Sequence, residues 1–181
     1  MTVQLIDPAS ASAAVKAKLD ASQAAFGFVP GLHKALANSP QTFDAYAYLH
    51  EQFQNTSFDA AELTVVWQTI NLYHECHYCL PAHTGIAHSM KVDPALIDAL
   101  NEGKALDDPK LRALQATTRA MADQRGRLSE EQEAAFRAAG YGDQQLLEII
   151  LGLAQKVISN YVNHLADTPV DAPFKKFVKN A

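Results

Sequence analysis

The chain has 181 residues, 48% hydrophobic and 19% charged, with a net charge of −5. That length is enough to bury a real core, and the lack of any basic run excludes nucleic acid as a partner. No unbroken stretch of about 18 apolar residues occurs, which excludes a transmembrane helix and a membrane partner.

Residues Met1 to Asp7 lack the basic-then-apolar order of a signal peptide, so a cytoplasmic location is expected. In chain order the periodicity predicts helices at 9–25, 31–38, 40–55, 60–74, 77–90, 94–102, 109–125, 130–139 and 143–166, with no alternating strand. The predicted fold class is therefore all-α. Asp59-Ala60-Ala61-Glu62 and Ser129-Glu130-Glu131-Gln132 read as capping boxes. Asp93-Pro94 and Asp108-Pro109 set an N-cap residue before a proline at the first helical position. Gly103, Gly126 and Gly140 stand where C-terminal glycine caps belong. Connections are short and polar, so residues 1–181 read as one compact domain. Offsetting the chain by 84 residues lays Cys76 on Asn160, Cys79 on Asn163 and Thr64 on Glu148, the pattern of an internal repeat over 60–90 and 144–174. Amphipathic periodicity alone produces the same match, so duplication and coincidence both stand.

Only two cysteines are present, and they sit three residues apart in Glu75-Cys76-His77-Tyr78-Cys79-Leu80-Pro81-Ala82-His83. In a reducing compartment such a pair is catalytic or metal-binding before it is a structural staple. On a helix, Cys76, Cys79 and His83 fall within about 60° of one another, while His77 and His88 point away. Cys79 and His83 are an i,i+4 pair. Pro81 belongs in a first helical turn, so the helix starts near His77 or Tyr78. That puts Cys79 where free N–H groups and the helix dipole favour a thiolate. Cys76, at or just before the start, can reach Cys79 to close a disulfide. Two other readings stand beside the redox one: a pair of small buried hydrophobes, or a zinc site from Cys76, Cys79 and His83 with His74 or Glu75. The zinc reading lacks the second, distant ligand pair that structural sites usually draw on, so no metal and no cofactor beyond the dithiol itself is expected. His33, His50 and His164 read as core-edge or surface residues. Trp67, Ile70, Leu72, Tyr73 and Ile86 read as core and oligomer contact.

Segment 62–87, with Cys76-x-x-Cys79-x-x-x-His83 inside it, resembles the AhpD-like alkylhydroperoxidase branch of the carboxymuconolactone decarboxylase superfamily. Phe26-Gly27-Phe28-Val29-Pro30, Ala35-Leu36-Ala37-Asn38-Ser39-Pro40, Gly140-Tyr141-Gly142-Asp143 and Asn160-Tyr161-Val162-Asn163-His164 are similar to its peroxidase-related members. The resemblance implies an AhpD-like helical fold, homo-oligomers (trimers or hexamers), and a dithiol that reduces peroxide directly or serves a partner peroxiredoxin. It implies Cys79 as the activated thiol, Cys76 as its disulfide partner and His83 as a relay residue. An external dithiol or protein reductant would restore the pair. Thioredoxin-like enzymes often attack with their N-terminal cysteine, so the order of Cys76 and Cys79 stays open. The family's best-known relay places a glutamate 12 residues before the first cysteine, where this chain has Thr64. Glu62, about 160° around the helix from that position, and Glu148, matched to Thr64 by the repeat offset, are the candidate replacements. A redox adaptor with little direct turnover is the rival function.

Overall fold

Residues 63–70 are apolar on nearly every side, and a helix of that kind is stable only inside the protein. The computed structural model describes residues 2–178, which fold as helices joined by short turns with no strand among them. They form α1 (Ala13–Phe26), α2 (Gly31–Leu36), α3 (Pro40–Gln54), α4 (Ala60–Tyr73), α5 (Cys79–Ser89), α6 (Pro94–Asn101), α7 (Pro109–Asp123), α8 (Glu130–Ala138) and α9 (Asp143–Ala166), followed by a 3₁₀ segment (Ala172–Phe177). In α4 every residue from 62 to 71 is buried. Helices α5, α7 and α9 pack around it, α3 lies on α9, and the 3₁₀ segment lies on α5.

The core this creates holds Phe53, Val65, Val66, Trp67, Ile70, Leu100, Leu114, Phe136 and Ile149. Trimming one of its large aromatic side chains to alanine would cost about 3–5 kcal/mol. A fully buried helix must also satisfy its polar side chains, and α4 does so across helix boundaries. Trp67 Nε1 donates to Gln155 Oε1 at 3.0 Å. Gln68 Nε2 donates to the Leu80 carbonyl at 3.1 Å and to Asn101 Oδ1 at 2.9 Å. These bonds fix α5 and α9 against α4, and the dithiol lies where the three meet.

The predicted helix punctuation is present. Both capping boxes form, at Asp59/Glu62 and Ser129/Gln132, and Asp93 and Asp108 cap helices that begin with proline. Gly103 and Gly140 follow their helices in the left-handed region, and Gly126 does so just after Arg125. Four non-glycine residues (Glu75, Lys91, Arg125, Asp167) take left-handed backbone as well, each just beyond a helix end. Helix α1 begins later than position 9 because Asp7 and Ser10 close a turn first. Helix α5 runs from Cys79 rather than 77, preceded by a turn over 77–78, so Cys76 stands just before the helix, where its spacing put it. The 3₁₀ segment is absent from the predicted elements. No helix among the described residues is long and apolar enough to cross a membrane.

Gly152 sets how closely α9 approaches α3: a Cβ there would sit 2.7 Å from Phe53 Cε2, on a ring with no exposure. Gly152→Ala is expected to lower unfolding free energy by about 1–3 kcal/mol in urea titrations.

Candidate dithiol site

The backbone turn after α4 positions both thiols. The Glu75 N–H bonds the Leu72 carbonyl at 3.1 Å and the Cys76 N–H bonds the Asn71 carbonyl at 3.0 Å, with Glu75 at φ 53°. This is a Schellman motif that carries a glutamate where glycine is usual. Cys76 then opens the next helix: its carbonyl accepts the Leu80 N–H at 3.1 Å, and its Sγ accepts the Cys79 N–H at 3.4 Å. A sulfur thus occupies the place of a serine or threonine N-cap oxygen. Cys79 follows in the first turn, with the free N–H end of α5 beside it. Both cysteines are buried free thiols, and their geometry already holds Sγ of one against the backbone of the other.

Helix α9 supplies the surrounding polar groups. Lys156, Asn160 and Asn163 follow one another at i, i+4 and i+7 on one face, and all three are completely buried. Asn163 Nδ2 donates to Cys79 Sγ at 3.3 Å, and the Asn160 amide also favours the charged form of that sulfur. Asn160 is oriented by His74, whose Nδ1–H donates to Asn160 Oδ1 at 2.9 Å, and by its own bond to Asn71 Oδ1 at 3.0 Å. Lys156 Nζ lies 2.9 Å from His83 Nε2; burial lowers the lysine, against the opposing pull of the Cys79 and Cys76 sulfurs. A protonated Lys156 can only donate, which sets the proton of a neutral His83 ring on Nδ1, a buried atom with no partner.

These contacts divide the two thiols. Burial alone pushes the Cys79 thiol up, but the hydrogen bond from Cys76, the Lys156 charge and the amides of Asn163 and Asn160 outweigh it and hold Cys79 well below the ordinary thiol range. The hydrogen bond to Cys79, with burial, drives Cys76 the other way. The stable arrangement is a Cys79 thiolate accepting from the Cys76 thiol. Burial, followed by the Lys156 charge and His50, keeps His83 well below its ordinary value and therefore neutral.

Cys79, His83 and Lys156 form the inner wall of a cavity of about 390 Å³, and Cys76 does not reach it. The rest of the wall is largely aromatic: Phe26, Phe28, Phe43, Tyr46, Tyr78 and Phe174. Lys18 and Asp44 stand at its exposed rim as an ion pair. His33 and His50, read from the sequence as core-edge or surface residues, line this same cavity, and burial lowers each to about 4. Ile86 also lines it rather than serving the core alone. His77 bonds the Thr168 carbonyl and His88 stacks on Phe177, both outside the cavity.

Neither candidate carboxylate joins the thiols. Glu62 closes the α4 capping box, accepts from Tyr141 at 2.9 Å and pairs with Lys110 at 2.8 Å. Cys79 lies against Asn71, nine residues further along α4, which is about 13 Å along the axis. Glu148 accepts from Ser57 and Gln144 at the surface. Thr64 Oγ is spent on the Ala60 carbonyl. The charged group beside the dithiol is Lys156, which the sequence reading missed. Its one local signal was its spacing, one and two turns before Asn160 and Asn163 on the same face of α9. Among the described residues no three His, Cys, Asp or Glu side chains are grouped to hold a metal ion.

No family model matches the chain, and no curated protein does. Solved structures do. An AhpD-core, peroxidase-related protein of Ralstonia eutropha superposes with a TM-score of 0.82 at 21% identity, covering 94% of this chain and 92% of that one. A peroxidase-related protein of a Silicibacter species gives 0.80 at 18% identity, with 96% and 93% covered. A cysteine-to-alanine variant of the debrominase Bmp8 in complex with 2,3,4-tribromopyrrole gives 0.78 at 16% identity, with 99% and 98% covered. The fold is therefore AhpD-like, as the cysteine segment led one to expect.

The thiolate is testable by its absorbance near 240 nm in the reduced protein. A depressed Cys79 value means thiolate above it and thiol below it, so the band should persist at pH 7 and vanish only on acidification. Lys156→Met should move that midpoint upward by about 1–3 units.

Proposed function

We propose that the protein is a thiol-dependent peroxidase that reduces hydrogen or organic peroxides through a Cys76–Cys79 dithiol/disulfide cycle. The observation that carries this reading is the inequality of the two sulfurs. Cys79, the thiol held as thiolate, faces the cavity, and Cys76 stands behind it within disulfide reach. That is the order a two-thiol peroxide reduction needs: an attacking sulfur in front, a resolving sulfur behind. The Cys79 thiolate attacks the outer peroxide oxygen, the O–O bond breaks, and the electron pair leaves on the alkoxide or hydroxide. Cys79 becomes a sulfenic acid. His83 Nδ1–H, neutral and without a partner, is the donor available to the leaving oxygen. The Cys76 sulfur then attacks the Cys79 sulfur, the S–O bond breaks, and water leaves with the Cys76 proton. An external dithiol restores the pair by exchange.

A largely aromatic cavity favours apolar substrates over bare hydrogen peroxide. It also gives a second reading some support: the debrominase of the same fold holds a halogenated pyrrole, and the same thiolate could take the halogen from an aromatic ring. In that case Cys76 would displace halide from a Cys79 sulfenyl halide and the ring would gain a proton. Halide release without peroxide consumption identifies it. The adaptor reading is less favoured, because Cys76 is completely buried and Cys79 is 2% exposed, whereas exchange with a folded partner needs a sulfur at the surface. Association between copies has its own support. Leu147, Ile150, Val157, Tyr161 and Leu165 are exposed along α9, an apolar stripe suited to a homo-oligomer contact.

The test is consumption of a dithiol driven by an organic hydroperoxide. Cys79→Ser and Cys76→Ser are expected to abolish turnover, with a sulfenic acid trappable on Cys79 in Cys76→Ser. His83→Ala should reduce kcat/KM by about 10²–10⁴, while Glu62→Gln and Glu148→Gln should leave it unchanged. Full activity without both cysteines would end this reading.

A further inference from the structure

Lys156 is a fully buried cation whose counter-charge is a sulfur. It has no exposure, and the groups acting on it are Cys79, Cys76 and His83. The titratable neighbours on the helices packed around it supply no replacement anion. Helix α3 presents Tyr46 and His50, α2 presents His33, and α5 with its leading turn presents Tyr78 and His83. Asp44 is the one carboxylate on the cavity wall, and it is exposed at the rim and already paired with Lys18. Helix α4 brings Trp67 and no acid, since Glu62 is tied to Lys110 and Tyr141.

Oxidation removes the counter-charge. Once Cys79 is joined to Cys76, the thiolate no longer exists, and an ammonium left alone in this wall would be an unpaired buried ion, which protein interiors do not sustain. A route for its proton is already built. Lys156 Nζ donates to His83 Nε2 at 2.9 Å, and His83 Nδ1–H is unpartnered on the other side of the ring. We propose that Lys156 is the acid of the cycle: it passes its proton through His83 to the leaving group and stays a neutral amine for as long as the disulfide lasts. This rests on the dithiol cycle proposed above. The balance closes without solvent. The site gives up two electrons from the sulfurs and two protons, one from Lys156 and one from Cys76. A hydroperoxide thereby becomes an alcohol and water, leaving a disulfide and a neutral lysine. On reduction by an external dithiol, Lys156 regains its proton as the Cys79 thiolate returns.

The experiment uses full-length protein oxidised with the diazene diamide, which accepts two electrons and two protons, so it does not depend on peroxide turnover. The ¹⁵Nζ signal of Lys156, assigned by its loss in Lys156→Met, is followed in the reduced and disulfide forms at a pH where the 240 nm band reports one thiolate per chain. An ammonium signal in the reduced form that moves to the amine position in the disulfide form is expected. An ammonium signal that survives in the disulfide form overturns the inference, and so does absence of the thiolate band throughout the neutral range. Should Lys156→Met not fold, proton uptake measured with an indicator on wild-type protein decides the matter. No net uptake per disulfide is expected, whereas one proton taken from solution per disulfide shows that Lys156 kept its charge. Clean lysine discharge with diamide but no reaction with hydroperoxide would remove the peroxidase reading and leave this inference standing.

Discussion

Everything at this site depends on one ion pair formed out of contact with water: the Lys156 ammonium against the Cys79 sulfur. Neither charge is tolerable there alone. Burial drives lysine toward the amine and cysteine toward the thiol, and each opposes that drive in the other. The amides of Asn160 and Asn163 and the thiol of Cys76 complete the solvation of the sulfur. The reactive state is thus written into the packing of three helices, which explains why the protein surrounds it with the fully buried α4 and with side chains that bond across helix boundaries.

Arrangement of the turn between α4 and α5 decides which sulfur does what. A Schellman end with Glu75 in left-handed backbone brings Cys76 directly under the new helix, and the Cys76 sulfur then caps that helix. Cys79 is left in the first turn with its side chain toward the cavity. Two residues of the same type, three positions apart, therefore differ in accessibility, hydrogen bonding and protonation. A left-handed non-glycine residue is mildly strained, and here it stands immediately before the chemically active segment.

Much of the fold was legible because its helix signals are local. Capping boxes, Asp-Pro starts and glycine stops each encode a backbone geometry in two to four residues, and those elements stand where the sequence put them. Helices α4 and α9 end in left-handed backbone at Glu75 and Asp167 rather than at a glycine, yet their periodicity placed those ends within one residue. The start of α1 and the end of α2, with neither cap nor glycine stop, were less readable. The cysteine pair and His83 were legible from spacing, and the structure does gather them, with Cys76 at the start of the helix that carries the other two. Lys156 was not. Its place beside the thiols comes from α9 meeting α5 at a sequence separation of 73 residues, and its spacing to Asn160 and Asn163 is the one local hint. The same limit made Glu62 and Glu148 attractive: a carboxylate was sought by alignment, whereas the charge beside the thiols is positive. Where the resembling family has a glutamate this chain has Thr64, bonded to the Ala60 carbonyl, and the charged side chain acting on Cys79 is Lys156.

The cavity completes the account on the substrate side. Its aromatic wall and neutral histidines offer little to a charged ligand, and its single rim ion pair is self-satisfied. A neutral, apolar molecule can approach the thiolate without displacing a charge, so selection and reactivity are set by the same burial that maintains the ion pair. The most direct measurement is the alkylation rate of the reduced protein with iodoacetamide between pH 6 and 8, with the labelled cysteine located by peptide mapping. The account predicts label on Cys79 alone, at a rate nearly independent of pH over that range. A rate climbing about tenfold per pH unit, as for an ordinary thiol with a pKa near 8.5, or label appearing first on Cys76, would contradict it.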